Sequence, residues 1–221
     1  MIITAGGLGT RIPSAVPKQF IQVGEQPLLA QTLYRCYQAL SFDEILLTLP
    51  ADYQPYWEEI YQKVTPKVPH RVVAGGQERF DSVKAALESI DNTEGLVGIH
   101  DGVRPFATPD LINRTFQTAA DQLSAIPLVK LKDSLRIQRN EQWAHLERSL
   151  VQKVQTPQVF DLQRLKTAYQ ATNDTIYTDD AQVWEKAGYN LTFVDGEPSN
   201  FKLTSSEDLA YARFIFQYGT T

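Results

Sequence analysis

The sequence predicts an α/β fold, a Rossmann-like open and mostly parallel twisted sheet with helices on both faces. Short apolar runs that are typical of buried strands alternate with segments of helical periodicity along the 221 residues. Three glycines, Gly6, Gly7 and Gly9, follow the first apolar run, where such folds place a tight turn from strand to helix. Hydrophobic residues make up 43% of the chain, enough for one sizeable core, and we therefore expect one domain over 1–221.

The predicted strands are apolar runs that end at a turn or at a polar residue. The run at 44–49 stops at Pro50, and the run at 96–100 stops at Asp101. Strands are expected, in chain order, at 1–5, 44–49, 71–73, 96–100, 125–129 and 191–194, with short extended pieces at 20–23 and 200–203.

The predicted helices carry apolar residues at helical spacing and begin at capping residues or prolines. Pro27 suits the first turn of one helix, and Thr108 followed by a proline marks the start of another. Asp52 and Thr178 are expected to cap the helices that follow them, and 204–207 has the spacing of a capping box. Helices are expected from residue 27, over 52–62, over 78–90, from 108, over 159–169, over 179–187 and up to 216.

Residues 130–154 depart from this alternation. They are polar and alternating, they contain a turn signal at 139–141, and they lack an apolar run of the kind that forms a core strand. This pattern predicts an extended β-arm. Because an isolated hairpin is at best marginally stable in water, we expect the arm to pack on a partner subunit.

Composition and charge limit the classes of protein that the chain can represent. Its net charge of −5 argues against general nucleic-acid binding, which needs a basic face. Cys36 is the only cysteine, so an internal disulfide and a cysteine-based zinc site are excluded. The sequence contains no apolar run of membrane-spanning length and nothing that resembles a signal peptide. We therefore expect a cytoplasmic protein that binds neither membranes nor nucleic acids.

The glycine loop is the first candidate for a functional site. Backbone N–H groups at Ala5, Gly6, Gly7 and Gly9 can form a concave anion site, and Arg11 brings a fixed positive charge beside it. Lys18 adds a second cation a few residues further on. The loop lacks both the Walker A lysine and the third glycine of the dinucleotide fingerprint. The alternative is a purely structural turn, but the two cations favour a site for a polyphosphate.

Other polar residues are expected to meet this loop, because they also follow predicted strands and ligands bind at the carboxyl ends of parallel strands. Asp101 is either a turn cap or a ligand of Mg²⁺, which prefers carboxylates together with phosphate oxygens. Arg104 can hold a second anion. Arg79 and Ser82 follow a second glycine pair and can contact a base or ribose, although spacing alone favours helix capping there.

Several segments together resemble one family, the 2-C-methyl-D-erythritol 4-phosphate cytidylyltransferases of the non-mevalonate isoprenoid pathway. The resemblance covers nearly the whole chain and depends on the order and spacing of its motifs. Those motifs are 5–11, 17–20, 75–83, 100–105, 133–134, 155–158, 178–180 and 200–202.

The resemblance implies a nucleotide-diphospho-sugar transferase fold, a homodimer formed through the β-arm, and transfer of a cytidylyl group from CTP to a sugar-alcohol phosphate. It also implies Mg²⁺, or another divalent cation, at Asp101. The implied residues are Arg11, Lys18 and Lys202 for catalysis; Ala5, Gly6, Gly7, Gly9, Gly76, Arg79 and Ser82 for CTP; and Arg104, Ser134, Arg148, Thr156 and Thr178 for the acceptor.

Two alternatives stay open at the level of sequence. Gly102–Val103 and Ser134 depart from the commonest form of the family motifs, and ribitol-5-phosphate cytidylyltransferases carry a similar motif around Arg104. The acceptor could therefore be ribitol 5-phosphate. A non-catalytic nucleotide-binding module is the more distant alternative, and it would bind CTP without releasing pyrophosphate.

Overall fold

The computed structural model describes residues 1–7, 16–172 and 176–219. Eight of its strands form one central sheet, and two short hairpins lie apart from that sheet. The strands are β1 (Ile2–Thr4), β2 (Gln22–Val23), β3 (Gln26–Pro27), β4 (Leu46–Leu49), β5 (Arg71–Ala74), β6 (Leu96–Asp101), β7 (Ser124–Lys130), β8 (Leu135–Arg139), β9 (Gln142–Leu146), β10 (Gln152–Val154), β11 (Gln158–Asp161) and β12 (Phe193–Asp195).

The central sheet has the strand order β10–β7–β11–β6–β1–β4–β5, and β12 pairs with β7. β1 runs parallel to β4 and to β6, β4 runs parallel to β5, and β12 runs parallel to β7. The prediction of an open, mostly parallel sheet is confirmed. Because β1, β4, β5 and β6 share a direction, their carboxyl ends lie along one edge of the sheet.

Helices cover both faces of the sheet, as predicted. The helices are α1 (Leu28–Ala39), α2 (Gln54–Tyr61), α3 (Arg79–Glu88), α4 (Pro109–Gln122), α5 (Leu162–Ala171), α6 (Asp180–Lys186) and α7 (Ser206–Tyr218). One apolar core lies between the sheet and α1, α2 and α4, and a second lies between the sheet and α3, α5 and α6. Neighbouring strand residues divide between these cores: Ile3 and Leu47 face the first, whereas Ile2 and Leu46 face the second.

One strand of the sheet differs from the prediction. Residues 159–161 were expected to enter a helix, but they belong to β11, which pairs antiparallel with both β6 and β7. Val159 and Phe160 are fully buried and face opposite cores. The helix begins at Leu162, where the Asp161 side chain accepts the backbone N–H of Arg164 at 2.9 Å. Two apolar residues, Val159 and Phe160, are too few to distinguish a strand from a helix by their period.

The observed helix starts agree with only one of the four predicted capping sites. Thr108 caps α4 as predicted, with its side chain accepting the backbone N–H of Leu111. The other three predicted caps were wrong. Asp52 lies within a 3₁₀ turn, Ala51–Tyr53, that precedes α2, and it does not cap that helix. Asp179 rather than Thr178 caps α6, and the capping box of α7 joins Ser205 to Asp208. Adjacent residues there are all competent caps, and backbone geometry selects one of them.

The predicted arm contains a hairpin. β8 and β9 pair antiparallel, and the turn residues Asn140 and Glu141 have positive φ angles of 48° and 66°, as a tight hairpin turn requires. The chain then returns to the central sheet, where β10 pairs with β7. Trp143 of the hairpin is 66% exposed. In the described part of the chain, no helix is long and apolar enough to cross a membrane.

Candidate active site

A cavity of about 320 Å³ opens at the carboxyl ends of the parallel strands. We call it the glycine-loop cavity. It unites segments that lie almost two hundred residues apart in sequence, because β1, β4, β5 and β6 end at the same edge of the sheet. Its lining includes, among the predicted residues, Ala5, Gly6, Gly7, Lys18, Gly76, Arg79, Ser82, Asp101 and Lys202. Arg11 and Gly9 lie outside the described residues.

A second cavity of about 280 Å³ adjoins the first, and we call it the Thr178 cavity. Arg79, Asp101 and Lys202 line both cavities, so these three residues form the boundary between them. Of the residues that the resemblance implies for the acceptor, Arg104, Thr156 and Thr178 line the Thr178 cavity. The other two residues that the resemblance implies for the acceptor, Ser134 and Arg148, belong to the arm. They are not among the described residues that line the two cavities. Arg148 Nη1 donates to the backbone oxygen of Lys132 at 2.6 Å.

Asp101 is the centre of this boundary. Its Oδ2 lies 2.9 Å from Nε of Arg104 and 3.1 Å from Nζ of Lys202, and its Oδ1 lies 3.7 Å from Nε of Arg79. The carboxylate is buried, whereas the Lys202 side chain is 41% exposed. One anion therefore holds three cations together, and Lys202 is the cation with the most access to a ligand.

The charge of Asp101 is secured by these neighbours. Burial alone raises the pKa of the Asp101 carboxyl, but Lys202, Arg79 and Arg104 outweigh it and hold that pKa far below its usual range. The carboxylate is therefore ionised throughout the neutral range. Among the described residues, no group of three or more His, Cys, Asp or Glu side chains is placed to hold a metal ion.

Lys18 and Gln19, which follow the glycine loop in sequence, contact segments that line the glycine-loop cavity. Lys18 Nζ donates to the backbone oxygen of Leu203 at 3.1 Å, next to Lys202. The buried amide of Gln19 donates from Nε2 to the backbone oxygen of Ala5 at 2.8 Å. These bonds hold Lys18 against both the glycine loop and the Lys202 segment, as a pair of cations around a polyphosphate requires.

The second glycine pair is shaped by Ser82. The Ser82 hydroxyl accepts the backbone N–H of Gly76 at 3.2 Å and donates to the backbone oxygen of Glu78 at 3.1 Å. A Cβ atom at Gly76 would lie 2.2 Å from Cβ of Asp81, so only glycine fits there. Sequence spacing favoured helix capping for this segment, and the reciprocal capping box between Glu78 and Asp81 is present.

We expect Gly76→Ala to lose affinity for CTP and to lower Tm, because the new methyl group displaces Asp81 and the first turn of α3. An overpacked site of this kind costs about 1–3 kcal/mol. Titration calorimetry with CTP and a thermal melt measure both effects. Gly7→Ala is the matched comparison for Tm, since no atom of the described residues lies within 4 Å of a Cβ atom built there. Equal Tm values for the two variants would contradict this interpretation.

His100, in the last part of β6, takes part in a buried hydrogen-bond chain. Its Nε2–H donates to the backbone oxygen of Arg104 at 3.1 Å, because a carbonyl can only accept. Burial lowers the pKa of His100 to about 4, so Nδ1 is unprotonated and accepts the Thr156 hydroxyl at 3.0 Å. That hydroxyl in turn accepts the backbone N–H of Asp101 at 3.0 Å. Thr156 therefore fixes the backbone that carries Asp101.

We expect Thr156→Val to lower kcat about tenfold and Tm measurably, whereas Thr156→Ser retains most of both. Valine has the same shape but leaves the Asp101 N–H and His100 Nδ1 buried without partners, at a cost of about 1–3 kcal/mol each. Serine restores the hydroxyl. Thermal melts and initial rates of pyrophosphate release compare the two variants, and similar behaviour of both would show that the hydroxyl does not position Asp101.

The segment that carries Lys202 is anchored by two amide side chains. Gln155 Nε2 donates to the backbone oxygens of Glu197 at 2.7 Å and Asn200 at 3.0 Å, and Asn200 Nδ2 donates to the backbone oxygen of Thr156 at 2.8 Å. Arg104 Nη1 also donates to Asn200, at its backbone oxygen. Sequence reasoning assigned no role to either amide, although both lie within motifs that carry the family resemblance.

Comparison with known proteins adds independent information about this chain. The profile of the family described as 2-C-methyl-D-erythritol 4-phosphate cytidylyltransferase matches residues 1–218. A protein of that name from Phocaeicola vulgatus is 38% identical over 215 residues, which cover 97% of this chain and 98% of the relative. The Bacteroides thetaiotaomicron protein of the same name is 39% identical over 211 residues, which cover 95% of each chain.

Solved structures show the same likeness. The 4-diphosphocytidyl-2C-methyl-D-erythritol synthase of Anaerococcus prevotii matches with a TM-score of 0.82 and 31% identity, covering 98% of this chain and 96% of the other. The 2-C-methyl-D-erythritol 4-phosphate cytidylyltransferase of Thermus thermophilus matches with a TM-score of 0.79 and 28% identity, covering 98% of both chains.

Proposed function

The chain belongs to the 2-C-methyl-D-erythritol 4-phosphate cytidylyltransferase family, and on that premise we propose that it transfers a cytidylyl group from CTP to 2-C-methyl-D-erythritol 4-phosphate. The products are 4-diphosphocytidyl-2-C-methyl-D-erythritol and pyrophosphate, in the non-mevalonate route to isoprenoids. The observation that supports this most directly is the pair of adjoining cavities that share Arg79, Asp101 and Lys202. A transfer between two phosphorylated substrates needs two such sites with a common charged boundary.

In this reaction a phosphate oxygen of the acceptor attacks the α-phosphorus of CTP. A new P–O bond forms as the bond between the α-phosphorus and the bridging oxygen breaks, and that oxygen leaves with pyrophosphate. The attacking oxygen is already anionic, so no side chain has to remove a proton. Catalysis then consists of holding the two substrates in line and of neutralising the charge that develops on the α-phosphate.

The described residues supply both parts of that catalysis. Backbone groups of the glycine loop would hold the triphosphate in the glycine-loop cavity, and Arg104 and Thr178 would face the acceptor in the Thr178 cavity. Lys202 lies at the boundary of the two cavities, and Lys18 lines the glycine-loop cavity next to it, which suits charge developing on the transferred phosphoryl group. Arg11, outside the described residues, is proposed as a third cation for the same charge.

We propose that Asp101 binds Mg²⁺, or another divalent cation, together with oxygens of the triphosphate. The donor chemistry fits: Mg²⁺ is commonly held by one or two carboxylates plus substrate phosphates, and Asp101 is an ionised carboxylate with Oδ1 the less tightly paired of its oxygens. The ion would neutralise phosphate charge. Because Asp101 is surrounded by three cations, binding requires the negative charge of CTP.

We propose that the chain acts as a homodimer in the cytoplasm. Three large apolar side chains, Trp143, Leu150 and Val154, are exposed along the arm. Packing of this arm on a second copy would cover them and would bring Ser134 and Arg148 to the partner's acceptor site. Sedimentation velocity on the purified protein tests the dimer. Cys36 is buried and unpaired, which suits a reducing compartment.

The decisive experiment measures pyrophosphate release by the purified protein with CTP, Mg²⁺ and each acceptor in turn. We expect release with 2-C-methyl-D-erythritol 4-phosphate and little with ribitol 5-phosphate. A faster reaction with ribitol 5-phosphate would replace the proposed acceptor. CTP binding by calorimetry without release with either acceptor would instead indicate a non-catalytic nucleotide-binding module.

A further inference from the structure

Arg79 and Asp180 lie at the wall between the two cavities. Arg79 is the first residue of α3 and lines both cavities, and its side chain is 21% exposed. Asp180 is the first residue of α6, its side chain is fully buried, and it is not among the described residues that line either cavity. Any influence of Asp180 on the reaction must therefore pass through a residue that it contacts.

The contact between the two side chains is bidentate. Nη1 of Arg79 donates to Oδ1 of Asp180 at 2.9 Å, and Nη2 donates to Oδ2 at 2.6 Å. The Tyr169 hydroxyl also donates to Oδ1, at 2.6 Å, and the backbone N–H of Asp180 donates to Oε1 of Gln158 at 3.0 Å. Because Asp180 is held by its backbone and by Tyr169, it fixes the plane and position of the Arg79 guanidinium.

The bidentate pair with Asp180 determines how the Arg79 guanidinium approaches Asp101. Both terminal nitrogens of Arg79 are bound to Asp180, and its Nε lies 3.7 Å from Oδ1 of Asp101. Arg104 and Lys202 approach the other oxygen of Asp101 at 2.9 and 3.1 Å. If residue 180 carried no charge, Asp101 would be the nearest carboxylate to the Arg79 guanidinium. A bidentate pair between Arg79 and Asp101 would then block Oδ1 of Asp101.

We propose that Asp180 is a positioning residue for cytidylyl transfer: it binds both terminal nitrogens of Arg79, holds this cation at the boundary of the two cavities and keeps it from closing on Asp101. This inference rests on the proposed function, because it concerns the same reaction. Sequence reasoning placed Asp180 in a family motif but gave it no role.

The test is a double-mutant cycle on steady-state kinetics with CTP and 2-C-methyl-D-erythritol 4-phosphate. We expect Asp180→Asn to lower kcat by about tenfold or more and to raise KM for CTP by a smaller factor, since Arg79 is displaced while the glycine loop is untouched. If Asp180 acts through Arg79, then adding Asp180→Asn to Arg79→Ala lowers kcat by no more than about twofold further. Additive losses, or an Asp180→Asn variant with normal kcat, would overturn the inference.

Two further measurements separate positioning from mere loss of stability. Ile112→Ala removes fully buried apolar volume on α4 and leaves all charges in place, so it is expected to lower Tm but not kcat at temperatures where circular dichroism shows folded protein.

If Asp180→Asn does not fold, Arg79→Lys tests the same geometry, because an ammonium cannot bind both oxygens of Asp180 as a fork. It is expected to show the same selective loss of kcat, and normal kcat would overturn the inference. Absence of pyrophosphate release by the wild-type protein would count against the proposed function instead.

Discussion

Lys202→Ala should lower kcat for pyrophosphate release by about 10²–10³-fold while the protein stays folded. Lys202 lines both cavities, and its Nζ lies 3.1 Å from Asp101 with the side chain 41% exposed. Loss of one preorganised group that stabilises developing charge typically has an effect of this size. A partly exposed ion pair contributes little to stability, about 0–1 kcal/mol, so Tm should change by only a few degrees. Initial rates and a thermal melt measure the two effects.

Lys63→Ala is the control for this loss, because it removes the same charge from an exposed position that lines neither cavity in the described part of the chain. It should keep wild-type kcat and Tm. Lys202→Arg retains the charge and should retain part of the activity. A Lys202→Ala enzyme whose kcat stays within about threefold of wild type would remove Lys202 from the catalytic set.

Asp101→Asn should lose both turnover and stability. The substitution removes the one carboxylate that holds Arg104 and Lys202 together and that faces Arg79, so three cations are left around a neutral amide. Breaking a buried charge cluster in this way costs about 3–5 kcal/mol, which corresponds to a Tm about 10 °C lower in a domain of this size. We expect kcat to fall at least about 10²-fold, because the proposed Mg²⁺ ligand is lost as well.

The pH dependence of this stability difference has a definite sign. The pKa of Asp101 is lower in the folded protein than its ordinary value of 3.8, so the charged carboxylate contributes stability at pH values above 3.8. That contribution is lost as the pH falls below 3.8 towards the folded-state pKa. The gap in Tm between the wild type and Asp101→Asn should therefore be full at pH 7 and narrow on acidification below pH 3.8, as thermal melts over a pH series can show.

Asp110→Asn is the matched control for Asp101→Asn. Asp110 also pairs with an arginine, Arg114 on the same helix, but its side chain is 83% exposed. Water screens such a pair, so its loss should change the free energy of unfolding by less than about 1 kcal/mol and leave kcat unchanged. Equal destabilisation by the two substitutions would mean that burial does not determine the strength of the Asp101 cluster.

Short sequence patterns of a few residues predicted much of the fold. Apolar runs predicted the strands that became β1, β4, β5, β6 and β7, because a buried strand needs a continuous apolar run whatever surrounds it. They did not predict β11, whose residues 159–161 are too few to show a period and which pairs antiparallel between two distant strands. Capping residues were predicted to within one position at α6 and α7, where neighbouring side chains are equally able to cap.

The candidate site, like the fold, was predicted only in part from the sequence. Residue type and order pointed to Lys18 and Asp101, and the family resemblance added Lys202; all three line the glycine-loop cavity. The supporting hydrogen bonds were not visible in sequence. Thr156 was expected to contact the acceptor, and it lines the Thr178 cavity, but its hydroxyl is bound to Asp101 and His100 across 55 and 56 residues of sequence.

Periodicity predicted the α/β fold and the glycine loop, because both depend on local chemistry, and the resemblance of its motifs indicated a nucleotidyltransferase. The pairing of the charges, in contrast, depends on the tertiary structure. Asp101 holds Arg104 and Lys202, whereas Arg79 is bound by Asp180, 101 residues further along the chain. Which cation meets which carboxylate depends on where the strands and helices end in space, and the order of residues along the chain does not contain that distance.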